Sequence, residues 1–293
     1  MNKIREFTPK AKALVPLLAV LVLAGGAAVK AAAPQGAVSL AYQFPQGRSL
    51  SYKTSSSQTQ NMEIMGQSMT TESTSSMDFT VKGQGVKDGN FVLGVTIDAS
   101  KADVSSSQGN MSPDMSAVVG KAFDMVVSRL GKEIDVKGAE AIKYDMPSGG
   151  SRDISSGFQA FFTDVPDKPI KVGDSWPSED TIVQREGSGE TRIHFMNQNT
   201  FDGIETVDGT ECARIKSAVK GTISGNMEQM GAAISIDIKL EGSDIWYFAV
   251  KDGIYIKSEM KATMGGVVVV GEPANMTIPI TGEMKQSAGL VKK

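Results

Sequence analysis

The chain has 293 residues, 40% hydrophobic and 22% charged, so it builds a sizeable core and is neither a disordered tail nor a collagen-like repeat. One Cys excludes an internal disulfide or a cysteine zinc site, and one His excludes any centre that needs two imidazoles. A formal charge of -3 offers no basic surface for a nucleic-acid partner.

Lys3, Arg5, Lys10 and Lys12 precede an apolar run from Ala13 to Ala24, and Gly25-Gly26-Ala27-Ala28 follow. Positive, then apolar, then small is the order of a secretory signal, and the run falls short of the roughly 20 apolar residues of a membrane span. The expectation is a signal over residues 1–31, cut after Ala28 or Ala31, with an uncleaved anchor helix as the other reading. No Cys sits nearby, which excludes anchoring through an acylated Cys. A cut after Ala31 removes five basic residues and Glu6, leaving 25 basic and 32 acidic residues, a net of -7. The expected product is exported, periplasmic or envelope-associated, and soluble once the signal is gone. Cys212 reads as a half-buried strand residue, because no neighbour in sequence would perturb its thiol.

Beyond the signal, apolar and polar residues alternate. Met77, Phe79 and Val81 do so, then Phe91, Leu93, Val95 and Ile97, then Ile234, Ile236, Ile238 and Leu240, then Ile254 and Ile256. Asp88-Gly89, Asp202-Gly203, Asp208-Gly209 and Asp252-Gly253 between the runs suit tight hairpin turns. The run Thr70–Ser76 reads as a long exposed strand, bracketed in one parity by Met69, Met77 and Phe79. Helical signals are few: Ser112-Pro113-Asp114 starts a short helix that Gly120 stops, and Ser155 through Phe162 forms a second short segment. Gly265-Gly266 suits a bulge or a sharp bend of the sheet.

A faint duplication runs through the chain. Gly47-Arg48-Ser49-Leu50 and Gly173-Asp174-Ser175-Trp176 each precede a long strand pair, and Asn61–Gly66 matches Asn226–Gly231 at five of six positions. Chance and true duplication both remain open for so short a match. The expected division is a signal over 1–31, a first β half over 32–145, a linker with a short helical turn over 146–169, a second β half over 170–286 and a tail over 287–293.

Three elements carry a resemblance: the Gly47–Tyr52 strand entry, the Val126–Ile134 hairpin and Pro166–Trp176 with its Lys-Val-Gly-Asp-Ser-Trp motif. Together they resemble a family of exported bacterial all-β proteins, similar in outline to periplasmic lipoprotein carriers and mycobacterial lipid-carrier lipoproteins. The resemblance covers most of residues 40–286. It implies a β half-barrel with helices closing a cavity and, at one remove, lipid binding; no functional residue of the carriers maps onto this chain.

Candidate chemistry is sparse. Gly173-Asp174-Ser175 invites comparison with Gly-Asp-Ser esterases, but the sole His, His194, has Thr191 three residues before it, so their triad does not assemble. The segment reads instead as a turn, and His194 as a surface residue. Acids abound, yet most sit in Asp-Gly turns or alternate outward, and no phosphate loop, calcium loop or metal spacing is present. No cofactor or metal is called for, and the expectation is a protein that is not an enzyme.

The methionines are the anomaly: 15 of 16 lie beyond the signal. They fill gaps in a core poor in aromatics, or line an adaptable cavity, or, in Met62-x-x-Met65 with Met69, hold cuprous copper. The cavity reading assigns ligand binding to Met62, Met65, Met69, Met227, Met230, Trp246, Met260 and Met264. The expected fold is mainly β: a long curved antiparallel sheet forming a half-barrel, with two similar halves if the duplication is real, and one or two short helices on its concave side. The expected partner is a lipid or other apolar small molecule, and the rival is an envelope protein docked on a structural or interaction module.

Overall fold

A computed structural model describes residues 36–64, 66–107, 109–110, 112–147, 150–186, 189–229 and 232–291. The expected signal over 1–31, Met65 and Met230 lie outside the described residues. The strands in chain order are β1 (Ser49–Ile64), β2 (Gln67–Lys87), β3 (Asn90–Ser106), β4 (Gly109–Asn110), β5 (Ala122–Val127), β6 (Glu133–Asp135), β7 (Lys143–Asp145), β8 (Ser151–Asp153), β9 (Ser175–Glu186), β10 (Gly189–Val207), β11 (Thr210–Gln229), β12 (Ala232–Ala249), β13 (Ile254–Val270) and β14 (Met276–Leu290). The expected mainly β fold holds. Residues 287–290, taken from sequence as tail, continue β14, and the expected boundary at residue 145 divides the small β7–β8 pair.

One large antiparallel sheet runs in the order β6-β5-β3-β2-β1-β14-β13-β12-β11-β10-β9. The chain therefore travels once round it. β1 to β6 step away from the middle, β9 to β14 return from the far edge, and β14 pairs with β1 from Tyr52↔Leu290 to Met62↔Ile280. No strand pairing closes the seam between β6 and β9 among the described residues, but the two edges lie a side chain apart. Lys132, in the β5–β6 loop, donates to the Glu179 carbonyl at 2.7 Å and to Asp180 Oδ1 at 2.6 Å, both on β9. The Gln159 side chain then pairs with β9 as a strand would: its Oε1 accepts from Val183 N at 2.7 Å and its Nε2 donates to Val183 O at 3.2 Å. That contact blunts an edge otherwise open to aggregation.

Alternation decides which face is dry. On β12, Ile238, Leu240, Trp246 and Phe248 are buried on the concave face, while Asp237, Lys239 and Glu241 are exposed on the convex one. At one end, here the base, the concave face meets the covering segment 136–174 and a strap over residues 36–48. Val38 pairs with Ile170, Tyr42 N donates to Arg129 O and Gln43 N to Gly253 O. Tyr42 packs edge-on against Phe162 and Phe248, and Phe158 against Phe79 and Phe123. Each such ring contributes about 1.5–3 kcal/mol of burial. Cys212 lies here too, fully buried rather than half-buried, and burial pushes its thiol up.

Both expected helices shrink to single 3-10 turns, Ser116–Val118 and Ser155–Gly157. The acids ahead of them explain this. Asp114 Oδ1 accepts from Ser116 N, and Asp153 Oδ1 from Ser155 N, so each side chain closes its own turn two residues on instead of capping a longer helix. Asp88-Gly89 and Asp208-Gly209 form hairpin turns with positive φ at both positions. Asp202-Gly203 does not. It lies inside β10, where the register to β11 shifts at Gly203, a bulge rather than a turn. Gly265-Gly266, conversely, stays in register within β13. A Cβ on Gly266 would meet Asp237 O at 2.1 Å, so this glycine serves close strand approach.

Candidate functional site: the concave cavity

Above the base, the concave face and the covering segment enclose a cavity of about 460 Å³. Its walls come from strands as far apart as β3 (Ser100, Ala102) and β9 (Ile182), which the curl of the sheet brings round one space. The apolar lining is adaptable: Met77, Met115, Met260, Met264 and Met284 face it, with Phe161, Phe195, Leu240 and Trp246. Toward the far hairpins, Ile238, Leu240, Met264 and Ile280 form a second buried cluster, against which Met62, Ile193 and Ile223 pack.

The wall is not uniformly apolar. Between the second cluster and the base, β9 to β12 carry a polar band. The Trp246 indole N–H donates to Ser217 Oγ at 3.0 Å, Ser217 donates to Asn199 Oδ1 at 2.6 Å, and Asn199 Nδ2 donates to Ser178 Oγ at 3.0 Å. This chain satisfies its members. Beside it, Asn197 Oδ1 and Asp244 Oδ1 have no protein partner although both are withdrawn from solvent. Burial pushes the Asp244 carboxyl up to about 6, against the opposing pull of backbone N–H groups at Ile245 and Glu259. At the seam, Asp164 is also pushed up to about 6, by burial first and by Asp180 second, with Lys132 pulling the other way. Glu133 next to Lys132 rises well above the carboxylate range because it is buried, even though its Oε1 accepts from Phe162 N at 2.7 Å.

Of the eight residues assigned from sequence, Trp246, Met260 and Met264 line the cavity. Met62 reaches the second cluster only. Met69, paired with Met62, and Met227, paired with Ile234, stand near the far hairpins, outside the lining. Met65 and Met230 are outside the described residues. The sulfur of Met264 accepts from Gln58 and Gln60 at 3.6 and 3.7 Å. Met77, Met115, Met284, Asn197 and Asp244 complete the site without any sequence motif. Asp244 did leave a cue: it shares the parity of Leu240 and Trp246, a charged residue on an apolar face.

The other singled-out groups lie elsewhere. Gly173-Asp174-Ser175 is a turn, with Gly173 at φ 91° and Asp174 Oδ2 accepting from Lys171 N. His194 faces outward, 3.7 Å from Glu179.

No protein family matches the chain, and no curated protein matches it. Among solved structures it is similar to an outer membrane channel from Pseudomonas putida F1, at 10% identity over 85% of this chain and 97% of that one, with a TM-score of 0.28. It is also similar to OmpT of Vibrio cholerae, at 8% identity over 85% and 99%, with a TM-score of 0.18. These likenesses are too distant to carry function. The polarity of the sheet also runs opposite to that of a membrane barrel, whose apolar band faces outward. Here Lys53, Lys101, Lys220, Lys239, Glu241 and Lys261 stud the convex face while the apolar residues face in.

Proposed function

We propose that this is an exported, non-enzymatic protein of the cell envelope that binds a lipid or other apolar ligand in the concave cavity. The observation that carries the reading is the cavity of about 460 Å³ lined by five methionines, within the usual range of small-molecule sites. Methionine re-packs around ligands of varied shape, which suits a carrier better than a rigid catalytic pocket. Export rests on the charged, apolar and small-residue order of the first thirty-one residues. The test is native mass spectrometry and organic extraction of protein purified from its own cell envelope. A bound mass that the extract identifies as an apolar molecule is the expected result. A ligand-free mass, together with no binding of an environment-sensitive apolar dye, would overturn the reading.

A further inference from the structure

The chemistry of the cavity wall constrains the polar end of its ligand; this inference rests on the cavity being a binding site. Four aspartates line it: Asp164 and Asp180, which share Lys132 at the seam, and Asp153 and Asp244, which have no basic partner in an ion pair among the described residues. Among the described residues the single basic one at the cavity, Lys101, stands at its rim with its side chain on the convex side, paired with Asp103 at 2.6 Å and largely exposed. A carboxylate or phosphate entering this space would meet like charge with no free cation to receive it. The hydrogen-bonding pattern points the same way. In the Trp246–Ser217–Asn199–Ser178 chain the indole N–H, the Ser217 hydroxyl and one Asn199 amide N–H are each given to a neighbour within the band. Among the described residues, the fully buried lining atoms that lack a partner are all acceptors: Asn197 Oδ1, Asp244 Oδ1 and Asp164 Oδ1. Buried acceptors without donors cost stability in the empty protein, and a ligand that supplies donors recovers that cost on binding.

Their placement gives the ligand an orientation. Asp244 on β12 pairs with Ser217 on β11, and Asn197 on β10 pairs with Val219, so the two acceptors flank β11 on its concave side. Level with Asn197 lies Val219, and farther from the base lie Ile223, Leu240 and Met264, all cavity-lining and apolar. We propose that the ligand is an amphiphile whose polar end carries hydrogen-bond donors, a protonated amine above all, received by Asp244 and Asn197. Its apolar part runs along the Val219–Leu240–Met264 side toward the far hairpins.

The test uses N-phenylnaphthylamine as a fluorescent cavity probe, displaced at neutral pH by three twelve-carbon amphiphiles: dodecylamine, dodecanol and laurate. Dodecylamine is expected to displace the probe at a concentration at least about tenfold below that of laurate, with dodecanol between them. Asp244→Asn, which keeps the shape of the side chain, should bring the amine within about threefold of the alcohol and leave laurate unchanged. Asn197→Asp should widen the preference for the amine. Laurate matching or beating dodecylamine, or an amine preference untouched by Asp244→Asn, overturns the headgroup assignment while the cavity reading stands. A probe that fails to bind, with none of the three amphiphiles retained, overturns both.

Discussion

Pro45–Arg48 and Lys171–Asp174 are the same turn built twice. In each, the fourth residue's N–H returns to the first residue's carbonyl, and the glycine at the third position has positive φ, 84° at Gly47 and 91° at Gly173. Each glycine N–H then reaches a strand carbonyl, Gly83 or Phe201, and that residue's N–H returns to Arg48 O or Asp174 O. Each partner strand is bulged just beyond, at Gly85 and at Gly203. Asn61-Met62-Glu63 and Asn226-Met227-Glu228 also both run into far-end hairpins, but from the first strand of one half and the third strand of the other. The two halves share a frame, but they furnish it differently. Both turn methionines inward, Met77 in the first and Met264 in the second, but the first adds Thr54, Ser56, Gln58 and Ser75, whereas the second adds Val219 and Leu240 together with the Ser178–Asn199–Ser217 chain and Asp244. Backbone geometry agrees at the two strand entries, and side chains differ where they face the interior space.

Matched truncations on the two walls should separate them most widely. Leu240→Ala is expected to cost about 2–4 kcal/mol in chemical denaturation, because it opens space in the second cluster, and Ser75→Ala less than about 0.5 kcal/mol. Equal costs would mean that Leu240 does not fill the second cluster.

The next contrast is in pH. Asp244 and Asp164 rise from an ordinary 3.8 to about 6, and buried Glu133 moves in the same direction. The folded protein thus holds protons that the unfolded chain releases at lower pH. Their stabilising contribution is complete below about pH 4 and is lost as pH rises through about 6. Thermal unfolding should show stability falling over that window, and Asp244→Asn should flatten the fall by on the order of 2 kcal/mol. The acids lowered by basic neighbours, Asp202 and Glu190, sit in the open and oppose this only weakly. Stability that rises over the same window would refute the burial of Asp244.

The shared frame can be challenged directly. Gly47→Ala and Gly173→Ala both place a Cβ at positive φ, and each should cost about 1–2 kcal/mol. The two costs should agree within experimental error, measured by urea titration; a silent substitution in one half would end the equivalence of the turns. The last contrast is at the seam. Lys132 is half exposed, so Lys132→Met should cost no more than about 1 kcal/mol while speeding hydrogen exchange along β9.

Most of the frame was legible from local pattern. Period-two runs such as Ile234–Leu240 fixed the strands and their dry face, and Asp88-Gly89 and Asp208-Gly209 fixed their turns. Asp202-Gly203 misled because a dipeptide that tolerates positive φ serves a bulge as readily as a hairpin; its neighbours decide. The helices failed for a similar reason, since Asp114 and Asp153 compete for the N–H groups that a helix would use. The cavity was legible only in part. Its methionines showed as a compositional excess, but Met69 and Met227 share their parity and differ only in their height on the sheet. Height depends on where segment 136–174 settles across the strands, a long-range fact that no short window of residues encodes.

The once-round path of the chain has a consequence for how it is made. β1 emerges first from synthesis, and its second partner, β14, emerges last: Tyr52 and Leu290 are about 240 residues apart when they pair. Until then one flank of β1 offers a long unsatisfied hydrogen-bonding edge, and the two halves of the sheet are joined only by the final hairpin. A ribosome-stalled or truncated chain ending before Met276 would hence be a trap for other strands, so this protein's vulnerability is greatest during its own production.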